Sequence, residues 1–128
     1  MEKLLATLML ALASTSAMAE WTAVHQTDYM VAYVDFATIR KTGDLVKMWS
    51  LNNFKAVQMG TSGNFLSASS QDEYDCKKVQ NRLLEQSEYS GNMQGGTVVF
   101  ADSEPGGWKP ITPNSVREAL WKVACGKK

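Results

Sequence analysis

Ser115-Val116-Arg117-Glu118-Ala119-Leu120-Trp121-Lys122-Val123-Ala124-Cys125 is the stretch in which the apolar period changes from strand-like to helical. Val116, Ala119, Leu120, Val123 and Ala124 stand at i, i+3, i+4, i+7 and i+8, which places them on one helix face. Ser115 with Glu118 fits a capping box, and Thr112-Pro113 offers a second cap with a first-turn proline. Gly126 stands where a left-handed terminator belongs. A helix with one apolar stripe has to bury it against another element.

Upstream of this helix the sequence reads as strands and turns. Trp21 to Thr27 and Met30 to Asp35 are rich in aromatic and β-branched residues, with Asp28-Tyr29 between them as a bend. Asp35 to Arg40 predicts a single helical turn capped by Asp35, with Phe36 and Ile39 pointing inward. Gly43 marks a tight turn, after which Leu45 to Lys55 is expected to run back as a central strand. One face of that strand carries Leu45, Lys47, Trp49 and Leu51, and the other Val46 and Met48. Met59 to Asn64, with two glycines, reads as a flexible loop. Phe65 to Cys76 and Lys77 to Tyr89 read as further strands, the second with Val79 and Leu83 on one face. Ser90 to Gly96 is a glycine-rich loop, Thr97 to Phe100 a short strand, and Asp102 to Gly107 an exposed loop before Trp108. The pattern predicts an α+β domain: about five to seven antiparallel strands whose sheet buries the stripe of one C-terminal helix.

The N-terminus has a different character. Lys3, an apolar stretch from Leu4 to Ala13, and a small-residue run ending Ala17-Met18-Ala19 form the pattern of a cleavable secretory signal, with cleavage expected between Ala19 and Glu20. The apolar stretch is too short to span a bilayer. Removing 19 of the 128 residues leaves 109, enough for one domain over residues 20–128. Export makes a disulfide the default state of the two cysteines, Cys76 and Cys125, against the alternative of a thiol pair serving metal or redox chemistry. Closing a loop of about 50 residues is worth roughly 4 kcal/mol in the chain-entropy model. Thirteen basic and thirteen acidic residues balance, so no net field favours nucleic acid or an anionic membrane.

Tyr33-Val34-Asp35, Ile39, Gly43, Val46 and Trp49, then Tyr74-Asp75-Cys76, Tyr89-Ser90-Gly91 and Gly96-Thr97-Val98-Val99, and finally Trp108, Ile111-Thr112-Pro113 and Cys125 resemble, in this order, the surface-adhesin protein E family. The resemblance implies a twisted antiparallel sheet packed against one C-terminal helix, joined by the paired cysteines. It also implies an exported binding module, some relatives of which engage host proteins at the cell surface. No cysteine stands at the cleavage site to carry a lipid anchor, and no basic segment opens the mature chain. Periplasmic and surface-displayed locations both remain open.

The chemistry-bearing residues are sparse. His25 is the single histidine and has no nucleophile in motif context. Asp72, Glu73 and Asp75 alternate across a strand, which puts Asp72 on the opposite face from the other two. Asp75 is expected to cap a turn beside the disulfide. The glycines from 91 to 96 lack the lysine and helix of a phosphate loop. No enzyme activity, metal or cofactor is expected. Trp49 and Trp121 are expected in the core or at its edge, whereas Trp21, Tyr29, Tyr89 and Trp108 are candidate contact aromatics. The leading expectation is a noncatalytic binding or adhesion-related domain for a host or envelope protein, with a homodimer through a sheet edge also available. The alternative is a periplasmic carrier or sensor of a flat, haem-like molecule, suggested by the methionines, tyrosines and His25.

Overall fold

A computed structural model describes residues 19–128. The expected leader, but for Ala19, lies outside the described residues. The strands follow one another as β1 (Thr22–Gln26), β2 (Met30–Thr42), β3 (Leu45–Gly60), β4 (Gly63–Asp75), β5 (Gln80–Tyr89), β6 (Val98–Asp102) and β7 (Lys109–Pro110), before the helix α1 (Val116–Cys125). Every pairing is antiparallel, and sheet order equals chain order from β1 to β6. β7 adds to the same side of β5 as β6, beside Gln80 and Asn81.

Alternation on the two central strands sorts their side chains. Val46, Met48 and Ser50 lie opposite Tyr74, Asp72 and Ser70 on one face. Val46, Met48 and Tyr74 join Ala32, Val34, Leu120 and Ala124 in the buried core, so this is the face the helix covers. Lys47, Trp49, Leu51 and Asn53 face the other way, opposite Glu73, Gln71, Ser69 and Ser67. Leu51 is fully buried on that second face.

The helix is bounded as its sequence predicts. Ser115 Oγ accepts the Glu118 N–H at 3.1 Å, and Glu118 Oε1 accepts the Asn114 N–H at 3.3 Å. Ser115 is thus the cap in preference to Thr112. Gly126, at φ 65°, ends the helix in the left-handed region. Cys125 is bonded to Cys76, with Cα atoms 5.6 Å apart. At the same corner the Trp121 indole donates to the Asp75 carbonyl at 3.0 Å. The Asp75 carboxylate accepts the Lys77 and Lys78 N–H groups at 3.0 and 2.9 Å. Those backbone donors, the Lys78 one foremost, hold its carboxyl below the ordinary aspartate value.

Three local expectations are corrected. Residues 36–39 form a bulge in β2 and not a helical turn: they stand opposite the single residue Met48, between the Asp35↔Trp49 and Arg40↔Lys47 pairs. Asp35 still organises the segment, accepting the Ala37 N–H at 3.1 Å, and Thr38 Oγ donates to the Asp35 carbonyl while accepting the Trp49 N–H. Ile39 packs against the core, but Phe36 is half exposed. Residues 59–64 are the end of a long hairpin and not a loop, because β3 and β4 pair up to Gly60↔Gly63. A Cβ at Gly60 would sit 2.7 Å from the Gly63 carbonyl oxygen, so glycine serves close strand approach there. Val79 occupies the turn before β5 with φ 51° and is exposed, leaving Leu83 without it on the strand.

Cys76→Ser or Cys125→Ser should lower the unfolding free energy by about 2–5 kcal/mol in denaturant titration. Unchanged stability together with thiol labelling of the wild type would refute the clasp. Asp75→Ala should lower the melting temperature at neutral pH. Because the Asp75 carboxyl is depressed in the folded state, its stabilisation is present above the ordinary carboxylate value and is lost as pH falls through the depressed one. The two melting curves should therefore converge in acid.

Candidate functional site

The sheet face away from the helix is polar where β3 and β4 cross it, and the segment from Ser90 to Thr97 folds over that polar strip. Ser67, fully buried, donates from Oγ to the Gly91 carbonyl at 2.7 Å and accepts the Gln94 N–H at 3.0 Å. Asn92 Nδ2 donates to Asn53 Oδ1 at 3.0 Å and to the Phe54 carbonyl at 2.8 Å, while the Met93 N–H also reaches Asn53 Oδ1 at 2.8 Å. Met93 and Gln94 sit consecutively in the left-handed region, at φ 52° and 63°. Neither is glycine, so their conformation is held by these bonds to the sheet.

That anchoring presents the Gln94 side chain between two aromatics. Its Oε1 accepts the Trp21 indole N–H at 3.0 Å, and its Nε2 donates to the Tyr89 hydroxyl at 3.3 Å. Tyr89 Oη in turn lies 3.4 Å from Ser69 Oγ. A chain of contacts thus runs from the start of β1 through the loop to β5 and β4. Beside it opens a cavity of about 630 Å3, walled by Trp21, Trp49, Asp35, Thr38 and Gln94, with Ala19 and Glu20 at its rim. Among the described residues the close aromatic pair is Phe54 with Phe65, centroids 5.7 Å apart. The Trp21 and Trp49 rings therefore flank the cavity without stacking on each other. Its size and its mixture of aromatic surface with a few polar groups are those of a ligand or side-chain pocket.

Of the four candidate contact aromatics, Trp21 and Tyr89 are brought together through Gln94. Tyr29 projects from the β1–β2 turn and is 77 % exposed. Trp108 lies elsewhere, with the Arg82 guanidinium 4.9 Å from its ring centre. Trp49, expected in the core or at its edge, is half-buried and lines the cavity. Gln94 had no signal in the sequence, because its role rests on partners 5 and 73 residues away.

The acidic group disperses. Glu73 pairs with Arg82 at 2.7 Å, Asp75 caps its turn, and Asp72 turns to the helix side, where it accepts from Ser70 Oγ at 2.8 Å and Asn81 Nδ2 at 2.9 Å. Burial raises the Asp72 carboxyl above its ordinary value, against the lowering effect of those two bonds and of Arg117. Among the described residues no three His, Cys, Asp or Glu side chains gather as a metal site, and none of their helices is long and apolar enough to cross a membrane. His25 is half-buried in β1 and does not line the cavity.

The family model described as surface-adhesin protein E matches residues 21–126, from Trp21 to the glycine that ends the helix. The chain belongs to this family. Its fold is that of Haemophilus influenzae protein E: one such structure superposes with a TM-score of 0.61 at 11 % identity, covering 88 % of both chains. A second crystal form gives 0.58 at 10 % identity over 86 % of this chain and 97 % of the other. Protein E from non-typeable Haemophilus influenzae gives 0.59 at 11 % over 88 % and 79 %. No curated protein matches the sequence. Family membership supports an adhesion-related surface protein with the sheet, helix and disulfide described above.

Ser67→Ala removes both the donor to Gly91 and the acceptor for Gln94. It should cost about 1–3 kcal/mol, the range for leaving a buried polar group unpaired. Amide exchange at Gln94 should accelerate more than at core positions such as Met48. Equal protection in both proteins would show that Ser67 does not anchor the loop.

Proposed function

We propose that the chain is exported, cleaved between Ala19 and Glu20, and acts as a noncatalytic adhesion-related domain that recognises a host or envelope protein through the face opposite its helix. The observation that carries this reading is the cavity between Trp21 and Trp49, in whose wall Gln94 accepts the Trp21 indole N–H. Two separated indoles offer large rigid contact area at small entropic cost, and such residues dominate binding energy at protein interfaces. Asp35, Thr38 and Gln94 supply the polar contacts that fix orientation. The outer edges of β1 and β6 lie at the two ends of the strand order, and they support a homodimer by strand pairing as a second mode of association.

The carrier reading draws no support from this cavity. Its walls hold indoles but none of the histidine, methionine, cysteine or tyrosine side chains that ligate haem iron. Cell fractionation with surface proteolysis separates display from a periplasmic location.

Trp21→Ala and Trp49→Ala should each weaken capture of the processed protein on immobilised host extracellular and bacterial envelope proteins by about ten-fold or more. Tyr29→Ala, outside the cavity, should not. Undiminished capture by both tryptophan variants would place the contact surface elsewhere. No capture of the wild type by any such protein would end the adhesion reading.

A further inference from the structure

The wall of the Trp21–Trp49 cavity carries a negative charge that no cation among the described residues answers. Asp35 pairs with Trp49 across β2 and β3, and Trp21 stands one residue outside the Thr22↔Val34 pair of β1 and β2. Directly opposed residues of antiparallel strands share a sheet face. Trp21, Asp35 and Trp49 therefore form one row, with the carboxylate between the indoles. Asp35 is only 7 % exposed. Its Oδ1 accepts the Ala37 N–H at 3.1 Å, whereas Oδ2 has no donor among the described residues and is not one of the polar atoms sealed from solvent. A charged acceptor is thus left open in the cavity wall.

The nearby cations are turned to other groups. Arg40 Nη1 donates to the Ala37 and Ile39 carbonyls, and Lys47 stands opposite Glu73 in the sheet register. The two ion pairs of the described residues, Arg82 with Glu73 and Lys122 with Glu118, leave Asp35 out. Glu20, the other charged residue of the wall, is also acidic. Processing between Ala19 and Glu20 adds an α-ammonium at the rim, and the Glu20 carboxylate balances it. Asp35 stays uncompensated. The neutral polar side chains are already bonded within the protein: Gln94 to Trp21 and Tyr89, and Thr38 to the Asp35 carbonyl and the Trp49 N–H.

We propose that this cavity receives a basic side chain, arginine or lysine, of the partner protein, set between the Trp21 and Trp49 rings with an N–H group donating to Asp35 Oδ2. Such selection rests on the adhesion reading above and adds to it the kind of residue that the pocket takes. Indole faces attract cations, most strongly when the cation is desolvated, and a carboxylate with a free oxygen supplies both charge and an acceptor. A quaternary ammonium lacks the N–H that Oδ2 requires. A neutral sugar stacks on indoles but leaves the Asp35 charge uncompensated, and an acidic side chain is repelled. For a divalent metal ion the described residues provide no cluster of three ligating side chains.

The test is titration of the processed protein with acetylated and amidated tripeptides, Gly-Arg-Gly and Gly-Lys-Gly against Gly-Gln-Gly and Gly-Glu-Gly, followed at the tryptophan indole N–H resonances. The Trp21 and Trp49 signals should move saturably with both basic peptides while those of Trp108 and Trp121 stay in place. The glutamine and glutamate peptides should bind more weakly by about ten-fold or more. Asp35→Asn, which keeps an acceptor for the Ala37 N–H, should abolish the preference for arginine over glutamine. N-Acetylglucosamine should bind no better than the glutamine peptide. The proposal falls if glutamine binds as tightly as arginine, if the sugar binds more tightly than either, or if Asp35→Asn leaves the preference unchanged. It also falls if no peptide moves the two signals, the result expected were the Glu20 ammonium to fill the pocket itself. Should Asp35→Asn fail to fold, the peptide comparison on the unaltered protein decides. Partner capture weakened by Trp21→Ala but not by Asp35→Asn would overturn the cation selection and leave the adhesion reading standing, whereas capture undiminished by both tryptophan variants would remove the pocket and both readings of it.

Discussion

The fastening of α1 to the end of β4 is the constraint on which the remaining structure depends. A helix of ten residues is marginal in water by itself, and a six-strand meander has two faces to cover. Burying Leu120 and Ala124 against Val46, Met48 and Tyr74 solves both problems on one side; a leucine side chain so buried contributes about 1.5–3 kcal/mol. The Cys76–Cys125 bond, the Trp121 indole on the Asp75 carbonyl and the Asp75 cap all act within a few residues of one corner. They fix where the helix ends and hence which sheet face it covers.

Once that face is taken, the opposite one is closed by different means. Among the described residues no second α-helix covers it, and the segment from Ser90 to Thr97 lies across the sheet and exchanges hydrogen bonds with Asn53, Phe54 and Ser67. Polar cover of this kind demands polar strand residues, and Ser67 and Ser69 are buried there as partners of the loop and of Tyr89. Coverage is partial. The strip beside the loop stays open between Trp21 and Trp49, and a cavity results.

What was legible in the sequence follows from the range of the interactions. The helix, its Ser115 cap and its Gly126 stop depend on residues within a few positions of each other, and all three are visible as local pattern. The disulfide needed only a pair of cysteines and an exported setting. The bulge over residues 36–39 reads as a helical turn in the sequence because Asp35 does cap a turn-like segment, while the pairing of Arg40 to Thr42 with Leu45 to Lys47 keeps the chain in the sheet. At residues 59–64 the glycines read as looseness in sequence, whereas Gly60 permits two backbones to meet. Of the cavity walls, Trp21 stands out in the sequence as a contact aromatic, whereas Trp49 reads as core or core edge. Gln94, which joins Trp21 to Tyr89, is invisible in the sequence because nothing near it in the chain announces a bond to Trp21.

Identity of 11 % with a TM-score of 0.61 shows how little of the sequence this fold requires. The requirements are a helical stripe, a strand pattern that supplies one apolar face, and a tie between them. None of these constrains the residues on the polar face beneath the Ser90–Thr97 loop. Function depends on such side chains and not on the frame that carries them. A shared fold at this identity therefore fixes the architecture alone, and the choice of partner rests with side chains that the fold does not prescribe.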